Sequence, residues 1–180
     1  MIIDRPARSL ATALLSFVLL LPLAHAGAPE DIVPLTAFPR ERIAIETRAS
    51  FRRLLFEAWR ADSMAARTQG LMFVEDAQVR PDQAMIFVYW PPQHVSMWMK
   101  NTLLSLDMLF VDEQGCIVTI KERAQPHSIA TIASRAPVVL VVELKAGTVA
   151  DRAIRVGDRV LRLDVGWPRE STACTVPKVK

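Results

Sequence analysis

The chain is 180 residues long and carries a formal net charge of +3, from 22 Lys and Arg against 19 Asp and Glu. That is the length of one domain with a sizeable core. The basic excess is small and the arginines are scattered, which excludes nucleic acid as the expected partner.

Arg5 and Arg8 precede an apolar run from Leu10 to Leu23, and Ala24-His25-Ala26 follows. A basic start, a short apolar core and small residues at the two positions that a signal peptidase reads predict a signal peptide over residues 1–26. A transmembrane anchor is the alternative, but the run falls short of the roughly 20 residues that span a bilayer, and no basic stop follows. No cysteine near the cleavage point invites a lipid, and no later stretch is long and apolar enough to span. The expected location is periplasmic or secreted, with no membrane span after cleavage. Cleavage takes Arg5, Arg8 and Asp4 with it and lowers the net charge to +2. Residues 27–42 are rich in Pro and Ala and lack periodicity, so a flexible leader is expected there.

From residue 43 to 165 the apolar residues come in short runs, mostly rich in β-branched or aromatic side chains and bounded by turn formers. This predicts strands at 43–47, 54–60, 85–89, 95–99, 106–111, 116–121, 138–144 and 159–163. The clearest pair is 107–111 with 116–120, joined by Asp112-Glu113-Gln114-Gly115, where Gly115 can take the positive φ of a hairpin loop. Residues 138–142 are apolar at every position, the mark of a strand covered on both faces. Two short helices are expected. Asp62 or Ser63 caps one that runs to Gln69 with Gly70 as its stop, and Thr148 caps another through Ala153. The fold class is mainly β: a compact β-sandwich or small barrel with one or two short helices. Residues 166–180 form a C-terminal tail.

Two cysteines remain, Cys116 after the hairpin turn and Cys174 in the tail. In an oxidising compartment an even count points to a disulfide, which would pin the tail to the sheet and stabilise by about 4 kcal/mol on the chain-entropy estimate. Unpaired thiols are the alternative. The C-x-x-C spacing of thiol-exchange enzymes is missing.

Gly70-Leu71-Met72, Ala84-Met85-Ile86-Phe87, Trp98-Met99-Lys100-Asn101-Thr102 and Leu106-Asp107-Met108-Leu109-Phe110-Val111 occur in that order. Glu143-Leu144, Ala146-Gly147 and Val156-Gly157-Asp158 follow. This series resembles the DUF192 family, also called UPF0127, over residues 54–163. The resemblance implies a small, often exported, mainly β protein with a jelly-roll-like fold, and implies no activity. Met97 stands where the family usually has an aromatic residue, which suggests packing volume rather than chemistry at that position.

The densest patch of reactive side chains is 94–102. On a strand, Ser96, Trp98 and Lys100 share one face, and Val95, Met97 and Met99 share the other. Asp107 follows a short loop, within expected reach of Lys100 or Asn101. Trp98, Lys100, Asn101 and Asp107 therefore suit a site for a small polar ligand, with stacking from the indole and orientation from the charges and amide. The structural alternative is a Lys100–Asp107 ion pair, with Asn101 tying down the 102–105 loop. Glu143 ends the most apolar strand, where a carboxylate is costly unless paired with Lys100, Arg162 or a ligand. His127 lies in a polar loop, 123–134, of a length that often lines a pocket; simple solvent exposure is its alternative.

Enzyme templates fit less well. Ser96, Ser105 or Ser128 with His127 and Asp107 lacks a G-x-S-x-G elbow. Asp107 and Glu143 as paired carboxylates would make an envelope glycan hydrolase. Zinc has only His94 and His127 in the mature chain and no ligand motif. His94, Met97 and Met99 offer the soft ligands of a copper-binding module, although a methionine stripe usually packs a core. No cofactor is implied. The expected function is a non-catalytic, exported binding or accessory module for a small polar molecule or envelope component. A glycan hydrolase and a copper module are its alternatives.

Overall fold

In the computed structural model the described residues are 32–168 and 173–174. The expected signal peptide, the start of the leader and most of the C-terminal tail lie outside the described residues. The strands, in chain order, are β1 (Arg40–Thr47), β2 (Arg52–Ala61), β3 (Gln83–Gln93), β4 (Ser96–Met97), β5 (Leu106–Val111), β6 (Ile117–Ala124), β7 (Ile132–Ala133), β8 (Val138–Lys145) and β9 (Arg159–Arg162). Two helices, α1 (Met64–Gln69) and α2 (Thr148–Arg152), interrupt them. None of the described helices is long and apolar enough to cross a membrane.

Seven strands form one sheet in the order β6-β5-β8-β3-β2-β1-β9, and β4 pairs with β7 alone. All neighbours are antiparallel except β2 and β3, which run parallel with Ala58 opposite Ala84. The sheet curls until its two edges touch at one end. There Cys116 bridges Arg159, the Ile117 N–H donates to the Asp158 carbonyl at 2.9 Å, and the Val160 N–H donates to the Gly115 carbonyl at 2.8 Å. Of the two expected architectures, the protein adopts the barrel, in the form of a half-barrel. Closure at this seam satisfies edge groups that would otherwise template another strand.

Local chemistry sets the element ends. The Asp112 carboxylate accepts from the Gln114 and Cys116 N–H groups at 3.0 and 2.8 Å, folding the turn into β6. Gly115 completes that turn at φ +82°, and a Cβ there would lie 2.8 Å from the Val160 carbonyl, forcing the seam apart. Ser63 caps α1 through a bond from the Ala66 N–H at 3.1 Å, and Gly70 ends it at φ +48°.

Three expectations need correction. Thr148 is not the cap of α2: Gly147, at φ +93°, holds that position, and the Val149 N–H is satisfied at 2.9 Å by the carboxylate of Asp107 on β5. The leader does not extend to residue 42, because β1 begins at Arg40, Phe38 is buried, and the Gln69 amide binds both the N–H and the carbonyl of Val33. The strand expected at 95–99 shrinks to β4, since its partner β7 is only two residues long. Its alternation persists all the same: Val95, Met97 and Met99 are buried while Ser96, Trp98 and Lys100 are exposed. Cys116 and Cys174 form a disulfide with Cα atoms 5.5 Å apart.

Apolar clusters cover both faces of the sheet. One gathers Met85, Phe87, Met97, Met99, Met108 and Phe110, and the other Ile43, Ile45, Ile86, Leu109, Val142 and Leu144. β8 runs between β3 and β5, so its side chains alternate between the clusters and nearly all are buried. At about 1.5–3 kcal/mol per fully buried large aliphatic or aromatic side chain, these clusters are the main source of stability.

Candidate functional site

One position on β8 breaks the apolar pattern. Glu143 sits between Met85 of β3 and Met108 of β5 in the sheet register and is 4% exposed. Its Oε2 has no hydrogen-bond partner. Burial penalises the charged form and pushes the carboxyl up to about 8, so at neutral pH it is mostly protonated. Arg162, one expected partner, is committed elsewhere, to a bidentate pair with the buried Glu41 at 2.6 and 2.7 Å.

Glu143 forms part of the lining of a cavity of about 320 Å³. α1 and the turn after it supply Arg67, Gly70, Leu71 and Met72; β3 supplies Phe87, Tyr89 and Gln93; the β4 segment supplies Ser96, Met97 and Trp98, with Thr102 beyond. Gly70 is needed here, because a Cβ would come within 2.9 Å of the Phe87 ring. The Tyr89 hydroxyl approaches Met97 Sδ at 3.6 Å. Burial pushes this phenol up to about 12; the nearby Arg67 cation works against the shift and the Glu143 carboxylate adds to it. The Arg67 guanidinium lies 5.2 Å from the Tyr89 ring centre and donates to the Asp62 and Val88 carbonyls at 2.6 and 3.0 Å. It forms no ion pair with a carboxylate among the described residues. Trp98 is half exposed at the mouth, with Lys100 Nζ 5.8 Å from its ring centre.

The expected site residues therefore separate. Trp98 and Glu143 meet in one cavity, with Lys100 over the outer side of the indole. Asp107 is not among its lining residues. Residues directly opposite on neighbouring strands share a face, and Asp107 pairs with Leu144 whereas Glu143 pairs with Met108. The two carboxyls lie on opposite faces of the sheet, so they cannot flank one glycosidic bond, and the hydrolase pairing fails. Asp107 is fully buried and accepts from the Arg123 and Val149 N–H groups, both at 2.9 Å, so the expected Lys100–Asp107 pair also gives way. Asn101 occupies a left-handed turn at φ +55° and accepts from the Phe73 N–H. His127 is exposed at φ +60° and its N–H ties the loop to the Thr102 carbonyl. The copper set does not assemble: His94 is exposed, while Met99 is fully buried in the core.

Arg67 and Tyr89 were not foreseen as site residues. The sequence places them on a helix and a strand 22 positions apart, and only the crossover between parallel strands stacks one on the other. A larger concavity, about 590 Å³, opens beside the β1–β2 turn, but it is bounded by Ala173 and Cys174, whose chain neighbours lie outside the described residues.

The DUF192 family, described as "Uncharacterized ACR, COG1430", matches residues 45–161, about two thirds of the chain. The chain belongs to the DUF192 family. Two crystal structures resemble this DUF192 protein. One is a candidate transcription regulator from Sinorhizobium meliloti 1021, 42% identical, covering 70% of this chain and 95% of its own, with a TM-score of 0.67. The other is a protein of unknown function from Novosphingobium aromaticivorans DSM 12444, 27% identical, covering 75% and 93%, also with a TM-score of 0.67. No curated protein matches this one. The pocket of this DUF192 domain holds one carboxyl group, with no histidine or cysteine among its lining residues. It can hydrogen-bond, stack and orient a ligand.

Proposed function

We propose that this DUF192 protein is an exported, non-catalytic binding module that holds a small polar ligand in the pocket of Glu143. The carrying observation is the buried Glu143 Oε2 with no partner. A buried polar atom without a hydrogen bond costs about 1–3 kcal/mol, and a ligand that supplies the missing bond recovers it. The volume, the aromatic mouth and the few convergent polar groups suit such a role. Export is supported by the signal-like N-terminus and by the Cys116–Cys174 disulfide, which persists in oxidising compartments. The regulator description belongs to the Sinorhizobium protein and is not carried over.

The test is thermal unfolding against a panel of envelope-type saccharides and small organic acids, with Trp98→Ala and Glu143→Leu beside the wild type. A ligand at about a hundred times its dissociation constant stabilises by about 2.7 kcal/mol. A shift in the wild type that shrinks in both variants is the expected result. The absence of any shift, or a shift equally large in both variants, would remove the pocket from consideration.

A further inference from the structure

The polar lining leans toward donation: Thr68, Gln93, Ser96 and Thr102 can both donate and accept, whereas Arg67 can only donate and Tyr89 and Glu143 hold protons. Tyr89 keeps its proton at every working pH, since burial lifts it to about 12. Glu143 is protonated at neutral pH and offers an O–H. Arg67 can only donate, and just one of its nitrogens, Nη1, is committed, to the Asp62 and Val88 carbonyls. The nearby Gln69 amide is occupied at both ends by Val33.

The charges agree with the donors. Arg67 is the one charged group in the lining while Glu143 is neutral, and Lys100 adds a second cation beside Trp98 at the mouth. From the strands flanking Glu143 the register neighbours are Met85 and Met108, which do not titrate; Tyr89 from β3 and Arg67 from α1 are the titratable groups on the pocket side. A cationic ligand would meet Arg67 with no anion to answer it. An anionic ligand meets a guanidinium fork that suits planar carboxylate geometry.

We infer that the ligand is a small organic carboxylate, its anionic end at Arg67, its ring or apolar body against Trp98, and a further oxygen accepting from Glu143. The inference rests on the pocket being a ligand site at all. It carries a pH signature. Above about 8 Glu143 becomes an anion that repels the ligand and can no longer donate. At pH 9 roughly one tenth of the protein keeps the donor, so apparent affinity falls about tenfold from its value at pH 6.5.

Three sugars that differ only at C6 test the charge: glucuronate, glucose and 6-amino-6-deoxyglucose, titrated calorimetrically into the disulfide-bonded protein. The expected result at pH 6.5 is glucuronate bound at least about tenfold tighter than glucose, with the amino sugar weakest. Arg67→Gln should erase that preference. Glu143→Gln, which keeps a donor and cannot ionise, should bind glucuronate equally at pH 6.5 and 9, where the wild type loses about tenfold. Equal binding of glucose, or a preference for the amino sugar, overturns the carboxylate assignment and leaves the pocket reading intact if Trp98→Ala abolishes it. If all three sugars fail while an uncharged compound from the thermal panel binds at Trp98 and Glu143, the carboxylate assignment again falls alone. If nothing binds there, both fall together.

Discussion

Replacing Glu143 by glutamine keeps the shape of the buried side chain and removes its titration, so the pair of proteins isolates one proton. The carboxyl ordinarily titrates near 4.5, and in the folded protein burial raises it to about 8. The native state therefore holds the proton more tightly than the unfolded chain, and stability falls as pH rises through the interval between those values. Below about 4.5 both states are protonated and Glu143 carries no ionisation penalty. Above about 8 both are ionised and the full penalty applies. At about 1.4 kcal/mol per pH unit the gap amounts to roughly 5 kcal/mol. Urea unfolding of both proteins at several pH values from 4.5 to 9 gives the difference directly, because every other group titrates alike in the two and cancels. Wild type minus Glu143→Gln should decline from the acid end by about 5 kcal/mol through the window and level off above about 8. A difference that stays flat from pH 4.5 to 9 would mean that Glu143 is ionised and partnered in the folded protein. The donor pocket would then be refuted.

Asp107→Ala should destabilise by about 2–5 kcal/mol in denaturant unfolding, because it strips the acceptor from two N–H groups on β6 and α2. A loss below about 0.5 kcal/mol would contradict this structural role. Cys116→Ser should lower stability by about 4 kcal/mol relative to the oxidised wild type, since the bridge joins positions 58 residues apart. Full reduction of the wild type should reproduce that loss, and unchanged urea midpoints would refute it. Gly70→Ala combines a φ of +48° with a Cβ 2.9 Å from the Phe87 ring, for a cost of about 1–3 kcal/mol by the same assay. It should also weaken ligand binding, since Gly70 and Phe87 both line the pocket.

Strand positions were legible in the sequence wherever hydrophobic period and turn chemistry agreed. β5 matches its expected bounds, and the Asp112–Gly115 turn follows from an Asx residue and a glycine that serve the same bend. Errors fell where a distant partner decides the outcome. Thr148 looks like a cap, but Asp107, 42 positions away, satisfies the Val149 N–H in its place. Residues 33–42 look like a leader because their anchors, Gln69 and β2, lie downstream. The site was half legible. Glu143 stood out as a carboxyl in an apolar strand, and Trp98 fell on the exposed face by alternation. Asp107 was misplaced because a strand's period does not reveal which neighbour it pairs with, and one step of register moves a side chain to the opposite face. Arg67 and Tyr89 carried no local signal, since their stacking is created by the crossover.

The parallel pairing of β2 and β3 obliges the chain to leave the sheet, since parallel neighbours cannot be joined by a tight turn. Residues 62–82 make that excursion, and within it lie Arg67, Gly70, Leu71 and Met72 of the cavity wall. The sheet pairings are made by residues on either side of the excursion. Substitutions at Arg67 or Met72 can therefore change what the cavity admits while every strand register stays as it is.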